Sequence, residues 1–304
     1  MRSENLSPAY KMVPPYSEAT CASLPKLNKG ISWLCWAYNE EDLIASYLRR
    51  SRDLLESVAS DYEIIVVDDA STDGTNEIVR ELTAEIPQLK LFRNDRNRNV
   101  GYSSQRAIKC ATKEYLLWQT IDWAYDIKLL RVYLELLKEY DIVAGVRREP
   151  VIVADNIRFV KPLLGLLKLL DINHITKRSD TPSKALVSVI NYALIRILFG
   201  VPISDYQNVV IYPTRVIQSL NYESASSFAN PEGLIRAYWA GCRIIEVPIS
   251  FIPRERGEAK GTRPGAIFNS VKDIFRLWFR WILCGKRDFK GGGFVRRLAP
   301  AEWA

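Results

Sequence analysis

Two short acidic segments stand out for the chemistry they could do. Val66-Val67-Asp68-Asp69-Ala70-Ser71-Thr72-Asp73-Gly74-Thr75 carries three carboxylates within six residues, and Thr120-Ile121-Asp122-Trp123-Ala124-Tyr125-Asp126 carries two. One carboxylate in such a place can accept hydrogen bonds from a base or ribose. Another can hold Mg²⁺ or Mn²⁺ bridging a pyrophosphate, a combination suited to a sugar nucleotide. The plainer account is that Asp73 caps the next helix and the other carboxylates are solvated turn residues. Further along, Arg254, Arg256 and Lys260 place three cations within seven residues. They either neutralise phosphate or are ordinary surface charge on a loop.

The composition removes competing chemistries. His174 is the only histidine among 304 residues, and the five cysteines are widely spaced with no CxxC pair. Zinc clusters, disulfide frameworks and most triad hydrolases are therefore set aside, and the cysteine usage fits a reducing cytosol. Neither GxGxxG nor GxxxxGK[ST] occurs, which takes away the dinucleotide and P-loop fingerprints. The net charge of +7 is local: residues 254–297 hold 12 basic and 4 acidic residues, so the rest of the chain is close to neutral. A confined cationic band predicts an anionic partner docked at one place.

The elements that must position these residues follow from the apolar pattern. Residues 1–29 hold four prolines and no apolar period and read as a flexible leader without a secretory signal. From Ile31 the chain alternates. Strands are predicted at 31–37, 62–67, 90–92, 115–119 and 141–146. Helices are predicted from Asn39, as N-cap, to about Val58, and at 75–85, 102–112 and 127–140. Such alternation implies right-handed βαβ units, hence an α/β fold with a mostly parallel sheet flanked by helices. Ligands bind such sheets beyond the carboxyl ends of the strands, where both acidic segments fall.

In these segments, taken in order, the chain resembles glycosyltransferase family 2, and within it the dolichyl-phosphate mannosyltransferase and polyprenyl-phosphate glycosyltransferase branch. Trp36-Ala37-Tyr38-Asn39-Glu40-Glu41 resembles the opening PxYNE segment, Ile65 to Thr75 the VVDDxSxDGT segment, and Asn99-Val100-Gly101 the N-x-G after the third strand. Thr120-Ile121-Asp122 occupies the DxD position, Asp141 to Arg147 resembles DIVxGxR, and Val247 to Lys260 resembles VPxxFxxRxxGxSK. The resemblance spans about residues 31–262 and implies the GT-A fold over 30–262, with a helical insertion at about 155–200. It places Tyr38, Glu40, Asp69, Asn99, Gly101 and Arg147 on a nucleotide-diphosphate sugar, and Asp122 on the metal and diphosphate. Arg254, Arg256 and Lys260 fall on an acceptor phosphate, and Asp205 on the acceptor side, with Asp122, Asp205 and Arg254 as the catalytic set. The chain departs from the pattern at Trp36, Thr120, Ala124 and Ala259, and of these Thr120 and Ala124, at the family's metal positions, weaken the Mg²⁺ or Mn²⁺ site.

The longest uncharged run, Ala185 to Ile195, is too short to span a membrane. The apolar stretches 159–170 and 185–199 suit either a membrane surface or packing on each other or across a dimer. Residues 266–284 gather Asn269, Lys272, Asp273, Arg276 and Arg280 on about a third of the helix circumference, with apolar residues on the rest. With Trp278 and Trp281 as anchors and Lys286, Arg287 and Lys290 beyond, this helix is expected in the headgroup plane of an anionic membrane. The competing account is a core helix laid across the sheet. The tail after Gly291-Gly292-Gly293 is expected to be flexible and basic.

The reaction the resemblance implies is inverting transfer of a hexose from a nucleotide-diphosphate sugar to a polyprenyl phosphate, on the cytosolic face of a membrane. A saccharide or other hydroxyl acceptor is the alternative, in which Asp205 acts as base. A non-catalytic sugar-nucleotide-binding protein is a second alternative. Nucleic acid is set aside because the basic band is interleaved with a helix too apolar for a duplex groove.

Overall fold

The computed structural model describes residues 17–147, 182–250, 252, 264–298 and 302. Residues 1–16 of the leader, the stretch 159–170, the insertion as far as residue 181, and Arg254, Arg256 and Lys260 lie outside the described residues.

A short helix α1 (Glu18–Ser23) precedes the alternating half: β1 (Ile31–Ala37), α2 (Glu41–Val58), β2 (Tyr62–Asp68), α3 (Thr75–Glu85), β3 (Leu89–Arg93), α4 (Asn99–Cys110), β4 (Tyr115–Trp118), α5 (Leu130–Leu136) and β5 (Ile142–Val146). Then come α6 (Pro182–Phe199), β6 (Val210–Pro213), α7 (Thr214–Gln218), α8 (Ala229–Trp239), β7 (Arg243–Pro248), α9 (Pro264–Trp278), a π turn (Phe279–Leu283) and β8 (Phe294–Arg297). The strands form one sheet in the order β3-β2-β1-β4-β6-β5-β7-β8. Only β6 runs against its neighbours among the described residues.

The strands are near-continuous apolar runs because both faces of the sheet are covered. Along β1, Ile31, Trp33, Cys35 and Ala37 enter one core with α2, α3 and α5, while Leu34 enters the other with α4, α6, α8 and α9. The period of two thus sorts alternate side chains to opposite layers.

Three local expectations change. Residues 17–29 are not a free leader: Cys21 and Leu24 are buried in the core, Leu27 bridges Ala59, and the Arg131 guanidinium donates to the Leu24 carbonyl. Six helical residues are too few to show a period. The helix expected over 127–140 is α-helical only at 130–136. Leu137, Lys138 and Glu139 donate to carbonyls three residues back, and so does Leu130, so both ends wind tighter. Residues 294–297 are not a loose tail but pair in parallel with β7, where Arg297 meets the buried Glu246.

Candidate active site

The loops after β1 and β2 are laced together. The Glu40 N–H donates to Thr75 Oγ1 at 2.8 Å and the Glu41 N–H to Asp73 Oδ2 at 3.2 Å, so residues of the second loop satisfy the start of α2. Glu41 Oε2 in return accepts the Gly74 N–H at 2.8 Å. Asn39 is therefore not the N-cap of α2. Its backbone is left-handed, at φ 52°, and its Oδ1 accepts the Thr72 N–H at 2.8 Å. Nor is Asp73 the cap of α3: Gly74 holds the N-cap position, and Asp73, one residue further out, accepts the Thr75 N–H at 3.0 Å. Burial alone would raise its pKa, but the Thr75 and Glu41 hydrogen bonds hold it below the ordinary carboxylate value.

The two central aspartates divide the labour. Asp68 is fully buried and accepts from the Ser71 N–H and from Asn76 Nδ2, both at 2.9 Å, so it shapes the loop. Asp69 sits at the edge, with Oδ1 accepting Asn94 Nδ2 at 2.6 Å and the Arg98 N–H at 2.9 Å. Asn94 cannot turn its amide over, because Arg106 donates to its Oδ1 at 2.6 Å. Asn94 and Arg106 escaped the sequence reading; the position of Asn94 directly after β3 was the available signal.

Beyond β4 a tight turn presents Asp122. The Trp123 N–H donates to the Thr120 carbonyl at 2.8 Å and the Ala124 N–H to Thr120 Oγ1 at 3.1 Å. The turn is also tied to the segment after β7: Ile252 donates to the Ala124 carbonyl at 2.8 Å and Asp126 to the Ser250 carbonyl at 3.0 Å. Asp122 thus adjoins the stretch that leads to Arg254. Since β1 lies between β2 and β4, the Asp69 and Asp122 loops are two strand spacings apart, about 10 Å.

Strain marks the same edge. Among the described residues the non-glycine positions with positive φ are Asn39, Ala70 and Trp123, in the loops that follow β1, β2 and β4, and Asn99, the first residue of α4 after β3. Asn tolerates this region; for Ala and Trp it costs of order 1–3 kcal/mol.

Other expected residues have different surroundings. Gly101 is buried, and a Cβ there would lie 2.3 Å from the Ala225 carbonyl carbon, so the glycine serves the approach of α4 to the 225 backbone. Arg147 and Asp205, expected on phosphate and acceptor, engage each other instead: Nε reaches Oδ2 at 2.7 Å and Nη2 reaches Oδ1 at 3.1 Å, with both side chains 5% exposed. The Tyr192 hydroxyl and the Gln207 N–H also donate to Asp205 Oδ1, each at 3.0 Å. Burial alone would raise the Asp205 pKa, but the Arg147 charge and these bonds hold it below the ordinary value.

The C-terminal helix is partly core. Ile274, Leu277 and Trp281 are buried, the last at 1% exposure, so Trp281 is not an outward anchor, while Trp278 packs against the same cluster but stays partly exposed. Asp273 accepts from Ser224 Oγ at 2.8 Å, and Glu223 accepts from Arg236 at 2.7 Å and from Trp281 Nε1 at 3.0 Å. Arg276 and Arg280 are spent on Asp273 and Glu223. A second apolar stripe faces outward, with Phe268 69%, Phe275 46%, Phe279 58% and Leu283 59% exposed. The π turn, which advances fewer degrees per residue than an α-helix, keeps Trp281 inward while returning Leu283 to this stripe. No helix among the described residues is long and apolar enough to cross a membrane.

The described residues hold no group of three His, Cys, Asp or Glu that could enclose a divalent cation, and the Thr120 hydroxyl already accepts the Ala124 N–H. With Asp122, the carboxylate the family resemblance assigns to the metal, substrate phosphates and water would have to complete the shell, as Mg²⁺ commonly accepts.

Residues 32–196, more than half of the chain, match the sequence model of Glycosyl transferase family 2. The chain belongs to this family. Among its relatives, the undecaprenyl-phosphate mannosyltransferase of Micrococcus luteus is 26% identical over 80% of this chain and 93% of its own length. The dolichol-phosphate mannosyltransferase of Pyrococcus furiosus is 24% identical over 83% of this chain. Glycosyltransferase AglD of Haloferax volcanii is 27% identical over 80%. The chain spans 64% of the P. furiosus protein's length and 36% of AglD's. In three dimensions it is similar to S. aureus TarS in complex with UDP-GlcNAc, at TM-score 0.54 and 20% identity, with 86% of this chain and 68% of that one covered. It is also similar to the mannosyltransferase PcManGT of Pyrobaculum calidifontis in complex with GDP-Man and Mn²⁺, at TM-score 0.53 and 17% identity, over 89% and 74%. These likenesses establish the GT-A fold.

Proposed function

We propose that this family 2 member transfers a hexose from a nucleotide-diphosphate sugar to a polyprenyl phosphate at a membrane surface, inverting the anomeric centre in one displacement. The observation that carries the reading is the edge itself: the Asp69 and Asp122 loops open on one side of the sheet, and the Asp122 turn is bonded to the segment leading to Arg254. The relatives named for undecaprenyl-phosphate and dolichol-phosphate mannosyl transfer support the acceptor class.

In this reading Asp69, held by Asn94 and Arg98, accepts from the nucleotide, and Tyr38 and Glu40 flank it at the end of β1. Asp122 would hold Mg²⁺ or Mn²⁺, which when bound would offset charge on the leaving diphosphate. Arg254, Arg256 and Lys260 hold the acceptor phosphate. A phosphate monoester is already largely ionised at neutral pH, so its oxygen attacks without a strong general base. The engagement of Asp205 by Arg147 favours this acceptor over a hydroxyl, which would need Asp205 to take a proton. The outward stripe of the C-terminal helix, with Lys272, Lys286 and Lys290 beside it, docks on anionic headgroups of the cytosolic leaflet.

A matrix of labelled UDP- and GDP-sugars against polyprenyl phosphates and saccharides, with Mg²⁺, Mn²⁺ or chelator, tests the reaction. Label is expected in the lipid extract; label confined to saccharide overturns the acceptor. Donor binding with no acceptor-dependent release of nucleotide would favour a binding protein, the reading that Thr120 and Ala124 at the family's metal positions motivate.

A further inference from the structure

The geometry points to Trp123 as the positioning residue of the site: its indole, clamped from three sides, holds the left-handed turn that presents Asp122. This rests on the assignment of Asp122 to the donor diphosphate and its cation.

Trp123 has φ 52° and is 8% exposed. A bulky side chain in that region is strained, and burying an indole does not require it, since the same ring packs from ordinary backbone conformations. Something must overdetermine the conformation. Trp33 stacks on the indole with centroids 5.8 Å apart and 29° between planes, and Tyr47 meets it edge-on, also at 5.8 Å. The Arg50 guanidinium lies 4.1 Å over the ring.

The same aromatic pair grips the other end of the turn. Trp33 Nε1 donates to the Tyr47 hydroxyl at 2.8 Å, and that hydroxyl donates to the Gln119 carbonyl at 3.1 Å. Gln119 Nε2 in turn reaches across the loop to the Tyr125 carbonyl at 2.8 Å. Asp122 therefore lies between two points, residues 119 and 123, that are fixed to one rigid pair of rings from β1 and α2. Rotation of the turn would break ring stacking and the carbonyl bond together, so the aromatic clamp sets the direction of the Asp122 carboxylate.

The test uses the full chain and four variants. Mn²⁺ bound in the presence of UDP or GDP is read by electron paramagnetic resonance, alongside kcat, KM and melting temperature. Trp123→Ala is expected to weaken Mn²⁺-nucleotide binding at least about tenfold and to lower kcat with it, as supporting groups around a metal ligand commonly do. Trp123→Phe, which keeps a ring, should recover most of both. Trp123→Gly adopts the left-handed backbone without strain, so it keeps the experiment decisive if the alanine variant fails to fold. A folded Trp123→Gly that binds Mn²⁺ and nucleotide as tightly as wild type, while Asp122→Asn does not, overturns the inference. If Asp122→Asn binds and turns over normally, the assignment of Asp122 fails first and the inference falls with it.

Discussion

The two edges of the sheet bury acidic side chains in different ways. At the amino edge Glu63, in β2, is 2% exposed, and both of its oxygens are satisfied. Oε1 accepts from Ser32 Oγ at 2.6 Å and from the Thr112 N–H at 2.7 Å, and Oε2 from Lys90 Nζ at 2.6 Å. The donors belong to β1, β3 and the loop before β4, so this carboxylate ties strands together. At the carboxyl edge the loops that hold Glu40, Asp69 and Asp122 each carry a left-handed non-glycine residue: Asn39, Ala70 and Trp123. At one edge the acidic group joins strands, and at the other the acidic groups stand beside left-handed backbone. Acidity and burial are common to both edges; local strain next to the acid is what distinguishes them.

The contrast is broken most directly at Asp122. Asp122→Asn is expected to lower sugar transfer by about a hundredfold or more while leaving the melting temperature unchanged; a matching loss of stability would place Asp122 with Glu63. Glu63→Ala should do the reverse, costing about 2 kcal/mol in urea unfolding because the Ser32 and Thr112 donors lose their acceptor, with turnover per folded molecule intact. Burial alone would raise the Glu63 pKa, but the bonds from Lys90, Ser32 and Thr112 hold it below the usual 4.5. The folded carboxyl therefore binds protons less readily than the unfolded one. Its stabilisation is present above the unfolded value and is lost as pH falls through the folded one, a dependence that Glu63→Gln should flatten.

The smallest effect is expected at Ala70. Ala70→Gly relieves a left-handed alanine at φ 61° but adds chain entropy to the unfolded state, for a net gain of at most about 1 kcal/mol. A clear loss in chemical denaturation would mean that the alanine methyl packs rather than strains.

Much of this protein was legible in its residues alone. The span of β1 and of α3 follows from the period of the apolar residues, and the alternation over 31–146 from its repetition, because burial on known faces leaves that period in the chain. The Asp69 and Asp122 loops were legible too, since a parallel α/β sheet directs the turns after its strands to one edge. The mating of surfaces was not. The pairing of Arg147 with Asp205 closes across 58 positions, Gly101 is required by the distant Ala225 backbone, and Trp123 acquires its role from Trp33, Tyr47 and Arg50. The C-terminal helix makes the point most simply. Its sequence determined that it would be apolar over most of its circumference, but only the tertiary structure decided which stripe is core and which faces outward. Periodicity records how much surface must leave water, whereas the partner that covers it is chosen by contacts between residues far apart in the chain.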